Sequence, residues 1–145
     1  MKNVVAVLTA LTLAIIVGAY INLIIPSSGS SIAAVKKTPL STVTNLGLFS
    51  DSLSGDTNVT IDTAVARIAG VTGSAEWKSF KPTEYKSAPH VSCVEVVVKT
   101  TANKTVMIQF MYNKNTSYVE LGAFHINDKP QTGLIARMAL TTGQI

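Results

Sequence analysis

The sequence predicts an α+β protein in which an N-terminal transmembrane helix precedes a small domain with one helix packed on a three- to four-stranded antiparallel sheet. Three observations predict this class. Residues 4–25 form an uncharged apolar run, residues 61–69 repeat apolar side chains at helical spacing, and residues 91–126 contain three segments with partly alternating apolar side chains. The predicted organisation is an anchor at residues 1–25, a flexible linker at 26–58 and a domain at 59–145.

The apolar run from Val4 to Ile25 is long enough to cross a bilayer. At 1.5 Å per helical residue its 22 residues reach about 33 Å, and the hydrocarbon core is about 30 Å thick. Lys2 and the terminal amine favour a cytoplasmic N-terminus, which places the domain outside the cytoplasm. A cleaved signal peptide is the alternative, because Ser31-Ile32-Ala33 offers small residues where a signal peptidase would cut.

The charge distribution argues against a nucleic-acid-binding domain. The chain has a formal net charge of +4, but residues 51–145 hold nine Lys or Arg against eight Asp or Glu. A nucleic-acid interface needs a basic patch on the folded part, and this part is nearly neutral. The single cysteine, Cys93, excludes a disulfide within the chain. The common hydrolase and nucleotide-binding motifs do not occur, so neither an enzyme nor a cofactor is predicted.

The helix predicted at residues 61–69 has Thr60 as its N-cap and Gly70 just after its end. The strands that follow are predicted at about residues 91–100, 104–112 and 117–126. The C-terminal run at residues 133–140 fits a helix through Leu134, Ile135 and Met138 or a fourth strand, and intrinsic propensity favours the helix.

The register of the strands follows from matching their apolar faces. A turn at residues 101–103 pairs Val94 with Phe110, Val96 with Ile108 and Val98 with Val106. A turn around residues 113–116 pairs Phe110 with Val119, Ile108 with Leu121 and Val106 with Ala123. The inner face is then continuous over three strands, and the predicted helix can cover it.

This register separates the residues that a metal site or an activated thiol would need. At about 3.3 Å per residue, His90 and His125 lie roughly 33 Å apart along the strands, and Cys93 lies roughly 23 Å from His125. We therefore predict no metal site and no Cys–His dyad.

A row of polar side chains is predicted on the outer face of the sheet. It consists of Glu95, Gln109 and Glu120, with the two carboxylates about 10 Å apart across two strand spacings. Inverting glycosidases use a similar separation. An open sheet face leaves both acids in water, however, so we interpret the row as solvated side chains.

Aromatic and lysine side chains are interleaved over residues 76–86, which predicts a ligand-binding or partner-binding segment. Aromatic rings supply rigid contact area, and lysines can orient an anionic group. The alternative is that Trp77 and Phe80 fill the gap between helix and sheet. Apolar side chains on the outer face offer a second contact surface. The candidate binding residues are Trp77, Lys78, Phe80, Lys81, Tyr85, Lys86, Met111 and Tyr118.

The layout of a helix before a curved antiparallel sheet on a membrane stalk resembles that of small cystatin-like or nuclear-transport-factor-like exported domains, as an analogy of layout without a shared motif. We expect a non-enzymatic, membrane-anchored extracytoplasmic domain whose partners are the lipid bilayer and a protein of the cell envelope. The alternative is a secreted or periplasmic protein that binds a small ligand through the segment from Trp77 to Lys86. The sequence does not determine the oligomeric state.

Overall fold

A computed structural model describes residues 29–46 and 57–145. These residues form an α+β fold with three helices and a five-stranded antiparallel sheet in the order β1-β2-β3-β4-β5. The helices are α1 (Ser30–Lys37), α2 (Ile61–Ala69) and α3 (Gly133–Thr142), and the strands are β1 (Ser74–Phe80), β2 (Val91–Lys99), β3 (Thr105–Asn113), β4 (Tyr118–Ile126) and β5 (Lys129–Pro130). The predicted class is confirmed, although the described part has more helices and strands than expected.

The predicted transmembrane helix at residues 4–25 lies outside the described residues. Within residues 29–46 and 57–145, no helix is long and apolar enough to cross a membrane.

Helix α2 has the bounds that the sequence predicts. The Thr60 hydroxyl accepts a hydrogen bond from the Thr63 N–H, and Gly70 ends the helix with a φ of +76°. The apolar stripe of α2 is buried against the sheet, as its helical spacing indicates.

Regular structure is present in part of the segment that was predicted to be a flexible linker. Helix α1 buries Val35 completely, and Pro39 forms an isolated bridge with Thr60. Thr44 pairs with the beginning of β4, since its N–H donates to the Val119 carbonyl and its own carbonyl accepts from the Leu121 N–H. These contacts join residues 30–44 to the domain, which the local sequence did not reveal because α1 is short and its packing partners are distant in sequence.

Strand β1 occupies residues that were predicted to be an irregular connection. It pairs antiparallel with β2 along its whole length, from Ser74 opposite Lys99 to Phe80 opposite Cys93. Its sequence, SAEWKSF, is mostly polar because β1 is an edge strand with a largely solvated first half. Apolar alternation is therefore too weak to identify it.

The predicted register is confirmed for the first hairpin and wrong for the second. Strands β2 and β3 pair as predicted, from Val94 opposite Phe110 to Val98 opposite Val106. The second turn pairs Asn113 with Tyr118, and Ser117 adopts a left-handed φ of +56°. A bulge then shifts the register between Gln109 and Phe110. The resulting inner-face pairs are Phe110 with Leu121, Ile108 with Phe124 and Val106 with Ile126.

The bulge changes which side chains of β4 face the helices. Gly122 is the extra residue, because Leu121 pairs with Phe110 and Ala123 pairs with Gln109. Phe124 therefore points to the core and Ala123 to the outer face, which reverses the predicted position of Ala123. The core lies between the helices and the inner face of the sheet, and its largest fully buried side chains include Leu40, Ile61, Ile108, Phe110 and Leu140.

The C-terminal run forms helix α3, one of the two predicted alternatives. Thr132 caps it by accepting a hydrogen bond from the Ile135 N–H. The helix packs through Ala136, Ala139 and Leu140. The side chains that were expected to line its apolar face, Leu134, Ile135 and Met138, are exposed instead.

Candidate functional site

The predicted binding residues of β1 are divided between the two faces of the sheet. Side chains alternate along a strand, so Trp77 faces the helices while Lys78 and Phe80 face outward. Trp77 is half-buried against the core, and the Lys36 Nζ lies 5.0 Å from the centroid of its ring. Trp77 and Phe80 therefore do not line a common groove.

The outer face carries an apolar cluster next to the loop between β1 and β2. Phe80, Cys93 and Met111 are buried there, and Tyr85 packs on them from the loop. The Lys81 Nζ donates a 2.7 Å hydrogen bond to the Ala88 carbonyl, which closes the loop over this part of the sheet. The structure thus brings together three predicted residues, Phe80, Tyr85 and Met111, as a packed satellite cluster.

A buried carboxylate lies beside this cluster on the outer face. Glu95 accepts from the Lys78 Nζ at 2.7 Å through one oxygen and from the Gln109 Nε2 at 2.6 Å through the other. Because Lys78 supplies a charge and Gln109 supplies an amide donor, burial of this carboxylate is compensated. Both oxygens are engaged by side chains of the protein itself, which favours a structural role for Glu95.

The predicted polar row is broken by the register of β4. Glu120 pairs with Met111 and so is level with Cys93, while Ala123 takes the place beside Gln109. The two glutamates are displaced along the strands as well as across them, and they lie in different surroundings. The Asn45 amide donates to Glu120, and burial raises the pKa of this carboxyl group above its ordinary value.

The distance between His125 and Cys93 along the strands is shorter than the predicted register implies. It pairs with Met107 and is level with Val97, which puts it about 13 Å along the strands from Cys93 rather than 23 Å. The residue is 3% exposed, and its Nε2 has no hydrogen-bond partner among residues 29–46 and 57–145. Burial lowers the pKa of His125, although the negative charges of Asp128 and Glu95 oppose this effect.

Two other titratable groups on this face also have shifted pKa values. Burial raises the pKa of the Cys93 thiol far above its ordinary range, and the charge of Glu95 adds to this while that of Lys78 opposes it. A thiol held in its protonated form is a poor nucleophile. Burial and the charges of Glu120 and Glu84 raise the pKa of Tyr85.

The remaining predicted residues lie at the end of the sheet where β2 and β4 begin. Lys86 is exposed in the loop after β1, and Tyr118 is about half exposed at the start of β4. The Tyr118 hydroxyl accepts a 2.7 Å hydrogen bond from Thr44. Because Trp77 lies on the opposite face of the sheet from Phe80 and Met111, the eight predicted residues form no single site.

Two surface features were not predicted from the sequence. The first is the exposed apolar stripe on α3, formed by Leu134, Ile135 and Met138; their helical spacing was the available signal, but spacing alone does not show whether an apolar stripe is buried. The second is an open cavity of about 400 Å³ between the segment at residues 40–46 and α3. Its lining includes Leu40, Val43, Thr44, Asn45, Arg137 and Thr141.

The described residues contain no group of three or more His, Cys, Asp or Glu side chains placed to hold a metal ion. Comparison with protein-family models, with curated proteins and with solved structures found no match to this chain.

Proposed function

We propose that this protein is a membrane-anchored extracytoplasmic interaction domain, an accessory and non-enzymatic component of an assembly in the cell envelope. The observation that carries the proposal is the position of the possible signal-peptidase site. Ser31-Ile32-Ala33 lies inside α1, and this helix packs on the domain through Ser31 and Val35. Cleavage at this site would therefore cut into the folded domain.

Cleavage after Ala33 would remove the first half of α1. The lost contacts would include the 3.1 Å hydrogen bond between the Ser31 and Ser92 hydroxyls, both of which are buried. Val35 would remain, but only as the second residue of the shortened chain, where a helical turn cannot form. The uncleaved chain therefore gives the more stable domain, and this favours an anchor over a removable signal.

The chemistry of the outer face favours contact over catalysis. On this face, the Glu95 carboxylate is held by Lys78 and Gln109, and the Cys93 thiol is protonated. By contrast, the exposed stripe on α3 presents three large apolar side chains to solvent on a helix whose other face is already packed. Apolar side chains grouped in this way are typical of protein contact surfaces.

The test of the anchor uses two arginines in the centre of the apolar run. We expect the wild-type chain to stay in the membrane fraction after an alkaline carbonate wash, with the mass of the uncleaved chain. The Leu13→Arg/Ile16→Arg variant should be lost from that fraction, because each arginine costs about 2.5–3.5 kcal/mol at the bilayer centre. Leu13→Ala/Ile16→Ala is the matched control and should remain. A soluble wild-type chain that starts near Ala34 would contradict the proposal.

The second candidate function is the binding of a small ligand by a secreted form. It is favoured by the open cavity beside α3, whose volume of about 400 Å³ is within the usual range for ligand sites. Thr141→Trp would fill the cavity, and Thr142→Trp on the exposed side of α3 is its control. A ligand whose binding is lost only in the first variant would favour this function.

A further inference from the structure

The anchor joins the domain at one end of the sheet. Helix α1 begins at Ser30, and the bond between Ser31 and Ser92 holds this point beside the start of β2. Only residues 26–29 separate Ser30 from Ile25, the last residue of the apolar run. The five steps from Ile25 to Ser30 span at most about 18 Å, so this end of the sheet must stay close to the bilayer surface if the run is a membrane span.

The loops at this end share a basic and aromatic composition. We call it the proximal end, and it consists of residues 81–90, residues 114–117 and the start of α1. The two loops contain three lysines and one acid, namely Lys81, Lys86, Lys114 and Glu84. They are adjacent in space, because the Lys114 N–H donates to the His90 carbonyl. Tyr118 is about half exposed next to them.

We propose that the proximal end contacts anionic lipid headgroups, with the strands directed away from the membrane. This inference rests on the proposed function, since it needs the anchor. Exposed lysines are attracted to an anionic surface within about one Debye length, or about 8 Å at physiological ionic strength. Tyrosine is favoured at the membrane interface because its ring is apolar and its hydroxyl is polar. The partner is therefore a phospholipid surface.

The opposite end of the sheet serves as an internal control. It contains the hairpin at residues 100–104 and lies about 27 Å from the proximal end along the nine residues of β2. Lys99 and Lys129 are exposed there, as Lys86 and Lys114 are at the proximal end. The two lysine pairs thus carry equal charge on the same domain and differ in their distance from the anchor.

The experiment measures the distance of each end from the lipid headgroups. The full-length chain is reconstituted in vesicles of phosphatidylcholine with phosphatidylglycerol, and a donor dye is attached to Ser87→Cys or to Ala102→Cys. Cys93 is buried and its thiol is protonated, so the dye labels the introduced cysteine. Energy transfer to an acceptor on the headgroups should be higher from position 87 than from position 102.

Charge reversal then tests the role of the lysines. Lys86→Glu/Lys114→Glu should lower the transfer from position 87, by an amount that corresponds to at least about a fivefold loss of the headgroup-bound population for each lysine, since loss of one positive charge alone has this effect and the new negative charge adds repulsion. Replacing phosphatidylglycerol by phosphatidylcholine should have the same effect. Lys99→Glu/Lys129→Glu should change neither signal.

Failure of this inference differs from failure of the proposed function. Equal transfer from positions 87 and 102 in a chain that resists a carbonate wash would overturn the orientation and leave the anchor intact. Equal effects of the two charge-reversed pairs would overturn the role of the proximal lysines. A chain that the wash releases from the vesicles would overturn the proposed function and this inference with it.

Discussion

Lys78 and Glu95 form an ion pair whose partners differ in exposure. The side chain of Lys78 is 43% exposed, whereas that of Glu95 is 8% exposed. Loss of the lysine leaves a buried carboxylate without its cation, while neutralisation of the glutamate leaves a lysine that water can reach. Loss of Lys78 should therefore cost more stability than neutralisation of Glu95, although both changes break the same contact.

We predict that Lys78→Met lowers the free energy of unfolding by roughly 3 kcal/mol, and that Glu95→Gln lowers it by about 1 kcal/mol. The measurement is urea unfolding of the full chain in detergent, followed by the fluorescence of Trp77. Asp62→Asn is the control, since it breaks the 3.2 Å pair with Lys36 at a carboxylate that is 54% exposed, and it should cost less than about 1 kcal/mol. Equal losses for Lys78→Met and Glu95→Gln would contradict this account.

His125 should make stability depend on pH. Its pKa is lowered from 6.5 in the folded chain, so the unfolded chain binds more protons near that pH. The free energy of unfolding should therefore fall as the pH is lowered through about 6.5 towards the lower pKa of His125 in the folded chain. The measurement is urea unfolding at several pH values. In His125→Gln this part of the pH dependence should disappear, whereas His90→Gln, a change at the start of β2, should retain it.

Three of the predicted binding residues lie together in the structure, and one lies on the other face of the sheet. Phe80, Tyr85 and Met111 were predicted as binding residues and do lie together, because Phe80 and Met111 both pair with Cys93 on the outer face. Trp77 is separated from Phe80 by an odd number of positions, which places it on the other face once this segment is a strand. Apolar alternation is weak in that strand, so the separation could not be predicted.

At the scale of elements, the junction between α2 and β1 depends on a close backbone approach. A Cβ at Gly73 would lie 2.5 Å from the Lys99 carbonyl oxygen and closer still to the Ala69 carbonyl oxygen. A Cβ at Gly122, the bulge in β4, would lie 3.4 Å from the Gln109 carbonyl oxygen. The first position has no space for a side chain, whereas the second can accept a methyl group with little movement.

We predict that Gly73→Ala lowers the free energy of unfolding by roughly 2–3 kcal/mol, because backbone atoms of α2 and β2 must move apart. Gly122→Ala should change it by less than about 1 kcal/mol in either direction, since the clash is small and alanine lowers the entropy of the unfolded chain. Thermal unfolding followed by circular dichroism measures both. A Gly122→Ala variant that loses as much stability as Gly73→Ala would show that the bulge is as tightly packed as the junction.

Elements with strong local signals were predicted well. Helix α2 has a cap, an apolar stripe and a terminal glycine, and its predicted bounds are confirmed. The first hairpin was also correct, because Asn103 takes the left-handed φ of +63° that its turn requires. The second hairpin was wrong because two features combine there, a turn that ends at Ser117 and a bulge at Gly122, and neither has a unique sequence pattern.

At the scale of the whole molecule, the contact between α1 and β2 offers a test of where the domain resides. Ser31 and Ser92 are far apart in sequence, but their hydroxyls lie 3.1 Å apart in a buried contact. Cysteines at these positions would be close enough to form a disulfide after a small adjustment. Such a bond forms outside the cytoplasm, where conditions are oxidising, and rarely inside it.

We predict that the Ser31→Cys/Ser92→Cys variant forms this disulfide in cells without an added oxidant. Maleimide-polyethylene glycol should then modify only Cys93 in the denatured chain, and all three cysteines after reduction. Ser31→Cys alone is the control and should show two reactive thiols under both conditions. If the purified double variant forms the bond with diamide but the protein in cells does not, the predicted extracytoplasmic location is wrong.

Local sequence patterns were sufficient to predict the α+β class, the bounds of α2 and the register of the first hairpin, and they include an apolar run long enough to cross a membrane. Each of these depends on local spacing or on residues close together in the chain. The folded structure was needed to establish that α1 and β1 are regular elements, that Trp77 and Phe80 lie on opposite faces, and that the α3 stripe is exposed. These features depend on contacts between distant residues, and such contacts can override weak local preferences.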